Sequence, residues 1–149
     1  MSKIKLPEFK ISYKRKLPSS PLKSIQGSED ASVVCRSLYD KGVLDWKEEF
    51  HVIALSRGNN VIGSFKASQG GVSGTVVDPK IILQFALLVN ASYIIMTHNH
   101  PSGNLKPSDR DIELTKKMKS ACESMDMLLL DHIIITSKGY TSLSDEGFL

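Results

Sequence analysis

Cysteine is scarce. The 149-residue chain holds two, Cys35 and Cys122, too few for the disulfide framework that braces small secreted domains. No apolar run reaches the roughly 18 residues that a membrane-spanning helix needs. The opening MSKIKLPEFK has no apolar stretch of the kind a secretory leader carries. The glycine-rich Gly70-Gly71-Val72-Ser73-Gly74 is followed by no lysine, which excludes a phosphate-cradling P-loop. Internal repeats and low-complexity blocks are also missing. These absences point to a reduced, cytoplasmic setting with no membrane partner. Hydrophobic residues at 41% and charged residues at 23% are ordinary for a globular protein, and the length suits one core.

Charge is unevenly spread. The net charge is +3, yet residues 1–27 carry seven Lys/Arg against one Glu, so the other 122 residues are net negative. Pro7, Pro18 and Pro21 mark residues 1–27 as a loosely ordered basic arm, which can be a solvated tail or can contact nucleic acid phosphates. Phe9, Ile11 and Tyr13 alternate with polar residues and suggest a short edge strand within it.

Residues 28–149 read as one domain. A helix is expected over 28–41, with Ser28 as its N-cap and Gly42 at its end. EEFHVIALS (48–56) alternates apolar and polar positions and pairs with VIGSFKA (61–67) across the turn Arg57–Asn60. Asp78-Pro79 opens a helix running to about Asn90. SYIIMT (92–97) is a buried strand, and from Ser108 a helix runs to about Met125, with Ile112, Thr115, Met118, Cys122 and Met125 at helical spacing. MLLLDHIIIT (127–136) is a strongly apolar strand, and Tyr140–Leu143 returns beside it. This order predicts an α/β fold with a mixed central sheet flanked by helices.

Chemistry concentrates after the strand 92–97. His98 and His100 stand two apart at its end, where extended backbone points both imidazoles to one side and Asn99 to the other. Asp111 follows 11 residues after His100, and the turn-rich PSGNLKPS between them can fold it back beside the pair. Two His and one carboxylate make a catalytic zinc set with a fourth position open for water. Such a centre also needs a carboxylate base that is not a ligand. Glu48 and Glu49 are the candidates, and alternation along a strand lets one of them face the metal. Glu48 shares the phase of Phe50, Val52 and Ala54. Ser108 can bond the water or a developing oxyanion, but Ser108 and Asp111 also read as a capping box at a helix start. One residue pair can serve both ends.

His98-Asn99-His100, seven residues from Pro101 to Pro107, Ser108, two residues and Asp111 resemble the JAMM (MPN-plus) metalloprotease signature. The longer string, completed by Thr115, is similar to the RadC-type branch of that JAB/JAMM family. So are Glu48-x-Phe50, Ala86-Leu87, Asn90-Ala91 and Asp131-His132-Ile133-Ile134. The resemblance implies a JAB/MPN-like domain with cytidine-deaminase-like layering and one zinc per chain on His98, His100 and Asp111. It makes Glu48 the general acid/base and Ser108 the oxyanion-positioning serine. It also implies metallopeptidase or isopeptidase chemistry on a protein or peptide, in a family associated with DNA repair. Asn99 stands where deubiquitinating relatives have Ser or Thr, and is usual in the RadC-type branch. That branch commonly carries an N-terminal helix-hairpin-helix region, of which residues 1–47 show no glycine-centred pair.

Two other functions fit parts of the pattern. A zinc-dependent nuclease would use the basic arm, although one three-ligand site gives no two-metal clamp for phosphodiesters. A non-catalytic DNA- or protein-binding module would not need the full Glu-His-His-Ser-Asp set. The tripeptide His98-Asn99-His100 does not indicate an HNH nuclease, whose named residues are spread along a ββα motif. His51 reads as structural. His132 reads as structural or as support for the site. Cys35 and Cys122 read as small apolar fillers and Trp46 as a packing residue.

Overall fold

The computed structural model describes residues 4–10, 12, 14, 23–71 and 74–149. Ile11 and Tyr13, on which the expected edge strand depends, lie outside the described residues, as does much of the basic arm; Phe9 is exposed and belongs to no element. Eight elements follow in the order α1 (Ser28–Arg36), β1 (Glu49–Leu55), β2 (Val61–Gln69), α2 (Pro79–Leu88), β3 (Tyr93–Asn99), α3 (Asp109–Glu123), β4 (Leu128–Thr136) and β5 (Gly139–Ser142). The strands form one sheet in the order β2-β1-β3-β4-β5. Pairing is antiparallel except between β3 and β4, which run parallel and are joined through α3. The sheet is therefore mixed, as the element order predicts.

Helices cover both faces of the sheet. Phe50, Val52, Ala54, Ile94 and Met96 pack against Ile82 and Ala86 of α2 and Met118 and Cys122 of α3. On the other face Ile53, Leu55, Ile95, Ile133 and Ile135 pack against Ala31 and Cys35 of α1, with Tyr39 and Ile25. Burial on both sides explains why all of β1 is buried although its sequence alternates. Its polar residues find partners: Glu49 accepts from Lys66 Nζ at 2.9 Å and meets His51 Nε2 at 3.1 Å. Cys35 and Cys122 are free, buried thiols, and burial pushes their pKa values up to about 12 and about 11.

Three sequence expectations need correction. The first helix starts with Ser28 inside it, Gly27 at the N-cap position, and Asp30 Oδ2 taking the Gln26 amide at 3.0 Å. It also ends at Arg36, because the amides of Leu38 and Tyr39 bond back three residues and turn Tyr39 into the core. Trp46 does not pack: it is 61% exposed, with Lys47 Nζ 4.9 Å from its ring centroid. Met125 falls beyond α3 and is exposed. By contrast α2 starts as expected, with Asp78 Oδ1 accepting from the Lys80 amide at 2.9 Å.

Asn99 joins the loop before β1 to the end of β3. Its Oδ1 accepts from the Glu49 amide at 2.8 Å, and its Nδ2 donates to the Leu44 carbonyl at 3.0 Å and the Lys47 carbonyl at 2.9 Å. The side chain is fully buried and its amide is used in three directions. Serine or threonine is too short and has too few donors to do this. Asn99→Ala would strand buried backbone groups and should lower the unfolding free energy by about 1–3 kcal/mol for each group that stays dry. Denaturant unfolding checks this; a loss within the roughly 0.5 kcal/mol of a surface substitution would contradict it.

Candidate metal centre

The C-terminal end of β3 and the N-terminal end of α3 bring the site together. His98 is buried at the last turn of the strand, stacked on Phe50 with ring centroids 5.7 Å apart and planes 6° from parallel. His100 lies just beyond, with its amide on the Ile135 carbonyl at 3.1 Å. The connecting loop turns at Gly103, whose φ of +79° suits a residue without a side chain. The loop is pinned by Thr141 Oγ1 donating to the Leu105 carbonyl at 2.8 Å. Ser108 then caps α3. Its Oγ accepts from the Asp111 amide at 3.2 Å, while Asp111 Oδ2 accepts from the Ser108 amide at 2.7 Å.

The capping box leaves Asp111 facing the two imidazoles. Its Oδ1 is 3.2 Å from His98 Nε2 and its Oδ2 is 3.4 Å from His100 Nε2. The two Nε2 atoms are 2.9 Å apart. Among the described residues these three are the one His/Cys/Asp/Glu cluster able to hold a metal ion. The other nitrogen of His100 settles its polarity: Nδ1 sits 2.6 Å from the Asn104 carbonyl, which only accepts, so Nδ1 carries the proton. Nε2 of neutral His100 is therefore a lone pair aimed at the cluster. Burial works to raise the Asp111 pKa, but the adjoining imidazoles of His100 and His98, whenever they carry a proton on Nε2, and the Ser108 amide outweigh it and hold this carboxyl well below the usual carboxylate range. Burial likewise opposes a charge on His100, yet Asp111 and the Asn104 carbonyl raise its pKa.

Glu48 and Glu49 separate as alternation requires. Glu48 lines a cleft of about 710 Å³ together with His100, Ser108 and Asp111. Glu49 is buried against Lys66 and His51, away from that cleft. Around Glu48 the glycine-rich loop closes tightly, with the Glu48 amide on the Gly71 carbonyl at 3.1 Å and the Gly70 amide on the Glu48 carbonyl at 2.9 Å. A β-carbon on Gly70 would run into the Gly74 carbonyl, so only glycine fits there. Val72 and Ser73 of this loop lie outside the described residues. A second lobe of about 360 Å³, lined by Phe50, Val76, Val77 and Leu114, continues the cleft and shares Glu48, Thr75, Arg110 and Asp111 with the first.

One participant, His132, has a sequence context that reads as structural as readily as supporting the site. His132 is wholly buried, with Nε2 2.8 Å from His98 Nδ1 and Nδ1 2.7 Å from Thr115 Oγ1. Its neighbour Asp131 faces the opposite way, accepting from Ser142 Oγ at 2.6 Å and the Ser144 amide at 3.0 Å. Two signals pointed to His132: it shares the strand phase of Ile134, and Thr115 is one helical turn beyond Asp111 on the same face of α3.

The RadC-like JAB domain family matches residues 25–148. The chain is 43% identical to a UPF0758 protein of Flavobacterium johnsoniae over 126 residues, covering 85% of this chain and 54% of that protein. It is 35% identical to a UPF0758 protein of Porphyromonas gingivalis over 136 residues, 91% of this chain and 60% of that protein. A UPF0758 protein of Salinibacter ruber is 40% identical over 103 residues, 69% of this chain and 44% of that protein. The chain thus spans about half the length of the curated relatives it matches.

The two glutamates should respond oppositely to pH in metal-free protein. Burial raises the Glu48 pKa above its ordinary value, so ionised Glu48 costs stability above that range and the cost fades as pH falls through the raised pKa. Burial also opposes ionisation of Glu49, but Lys66 and His51 prevail and lower its pKa. Its contribution is full above the ordinary glutamate range and is lost as pH falls through the lowered value. Glu48→Gln should therefore match or exceed wild-type stability near neutral pH, and Glu49→Gln should fall below it, with both gaps closing in acid. Thermal melts across pH check the pair; destabilisation by Glu48→Gln at neutral pH would contradict the burial argument.

Proposed function

The chain belongs to the RadC-like JAB domain family, and on that premise we propose that His98, His100 and Asp111 hold one zinc ion and that the centre hydrolyses amide bonds in a protein or peptide. The observation that carries this reading is the convergence of the His98 and His100 Nε2 atoms and the Asp111 carboxylate within 3.4 Å of one another. At least two of these three groups present lone pairs, which suits a cation between them. Zinc on two imidazoles and one carboxylate would keep a fourth position open, lower the pKa of a water there to about 7 and polarise a carbonyl.

The chain's own residues supply the proton traffic. Glu48, half-buried beside His100 and Asp111, has a raised pKa, which suits a group that must take and return a proton near neutral pH. Its carboxylate takes a proton from the attacking water as the new C–O bond forms. It then gives that proton to the leaving amine nitrogen as the C–N bond breaks. Ser108 Oγ spends its lone pair on the Asp111 amide, so its hydroxyl proton is free to donate to the oxyanion. The two lobes of the cleft meet at Glu48, Thr75, Arg110 and Asp111, and a cleft continued in this way past the site suits an extended polypeptide. One cluster of three ligands among the described residues favours amide over two-metal phosphodiester chemistry.

The free thiols of Cys35 and Cys122 suit a reduced, cytoplasmic setting, and no helix among the described residues is long and apolar enough to cross a membrane. The basic excess of residues 1–27 favours phosphate contact by that arm, beside a domain at 28–149.

Cleavage of a proteome-derived peptide mixture, followed by mass spectrometry with and without zinc, tests the reading. Zinc-loaded protein should generate new termini, and Glu48→Gln should slow this about 10²–10⁴-fold with zinc content unchanged. Equal rates for wild type and Glu48→Gln, or no cleavage by fully loaded wild type, would contradict it.

A further inference from the structure

Beneath the metal centre runs a line of wholly buried polar groups in which every proton has a place. We propose that Thr115 and His132 are positioning residues that fix the tautomer of His98, so that its Nε2 presents a lone pair to the metal. The inference rests on the metal reading above and concerns residues that do not touch the ion.

Thr115 stands at one end of this line. Its Oγ1 is 2.6 Å from the Asp111 carbonyl and 2.7 Å from His132 Nδ1. A hydroxyl has one proton to donate, and two oxygens at that separation require it between them. Thr115 therefore donates to the Asp111 carbonyl, and His132 Nδ1 must donate to Thr115. His132 is fully buried and neither of its partners is an anion, so it stays neutral. Its one proton is on Nδ1, which leaves Nε2 as an acceptor. Nε2 lies 2.8 Å from His98 Nδ1, so that nitrogen carries the His98 proton. Nε2 of neutral His98 is then bare, 2.9 Å from His100 Nε2 and 3.2 Å from Asp111 Oδ1.

His100 reaches the same state by donating Nδ1–H to the Asn104 carbonyl at 2.6 Å. Ligand histidines are ordinarily oriented by a carboxylate, carbonyl or water on the second nitrogen. Here His98 leans on a neutral imidazole, which is an acceptor only because Thr115 has already used its own proton elsewhere. The line begins and ends on the same residue: Asp111 supplies its carbonyl to Thr115 and its carboxylate to the metal site. The position of α3 thus sets both the third ligand and the tautomer of the first.

The test uses the full chain without metal and then with Co²⁺ alone as probe. Two-bond ¹H–¹⁵N correlation of the metal-free protein should show His98 and His132 both protonated on Nδ1. Thr115→Val keeps the shape but removes the hydroxyl; it should release the His132 tautomer and weaken Co²⁺ binding about 10–100-fold. Thr115→Ser should restore most of the affinity, which a purely packing role would not require. Wild-type His98 protonated on Nε2 would overturn the proposal even if the valine variant fails to fold. Equal Co²⁺ affinity for wild type and Thr115→Val would overturn it too. Failure of wild-type protein to bind Co²⁺ despite the expected tautomers would instead overturn the metal reading itself, and with it the relay's role.

Discussion

The side chains of His98, His100 and Asp111 meet at the junction of β3 and α3 across less than 3.5 Å, and neutral His100 and ionised Asp111 turn lone pairs toward one another there. In water such groups repel or capture protons. Holding them together therefore requires the rest of the domain to oppose that tendency, which a cation of the proposed kind would relieve. The fold does this by burying His98 against Phe50 and tying His100 to the loop carbonyl of Asn104. Asp111 is fixed in the first turn of α3 by the cap it shares with Ser108. Parallel pairing of β3 and β4 supplies the frame, because α3 must cross the sheet to join them and its N-terminus then falls at the end of β3.

Both faces of the sheet contribute to the same few residues. Asn99 and Glu49 point to the α1 side and form polar contacts that anchor the start of β1. Glu48 and His98 point to the cleft side. The strand alternation that separates Glu48 from Glu49 also places Asn99 opposite His98, so the clamp and the site are two faces of one pair of strands. A half-buried carboxylate at Glu48 is a stability burden on the fold and, under the proposed hydrolysis, an advantage for proton transfer.

The convergence of His98, His100 and Asp111, the helix start at Ser108 and the mixed sheet were legible in the sequence because each depends on local pattern: i/i+2 phase, a capping box, and apolar runs separated by turns. What stayed hidden depends on tertiary neighbours. Alternation in β1 does not reveal that helices cover both faces, since Glu49 and His51 become tolerable there through each other and through Lys66 on a partner strand. The early end of α1 follows from Tyr39 turning into the core, where its hydroxyl meets Thr97 Oγ1 at 3.2 Å. Trp46 looked like core by composition and is exposed, while its loop is anchored on either side of it by Asn99 Nδ2 on the Leu44 and Lys47 carbonyls and by the packing of Val43 and Leu44. His132 was visible as part of a motif, but its connection to His98 requires knowing that β3 and β4 are adjacent.

Zinc K-edge X-ray absorption of the loaded protein addresses the centre most directly. The account predicts a four-coordinate ion with two imidazole nitrogens and two oxygen donors at about 2.0–2.2 Å, losing one imidazole in His100→Ala. A sulfur shell at about 2.3 Å, or a spectrum unchanged by His100→Ala, would contradict it.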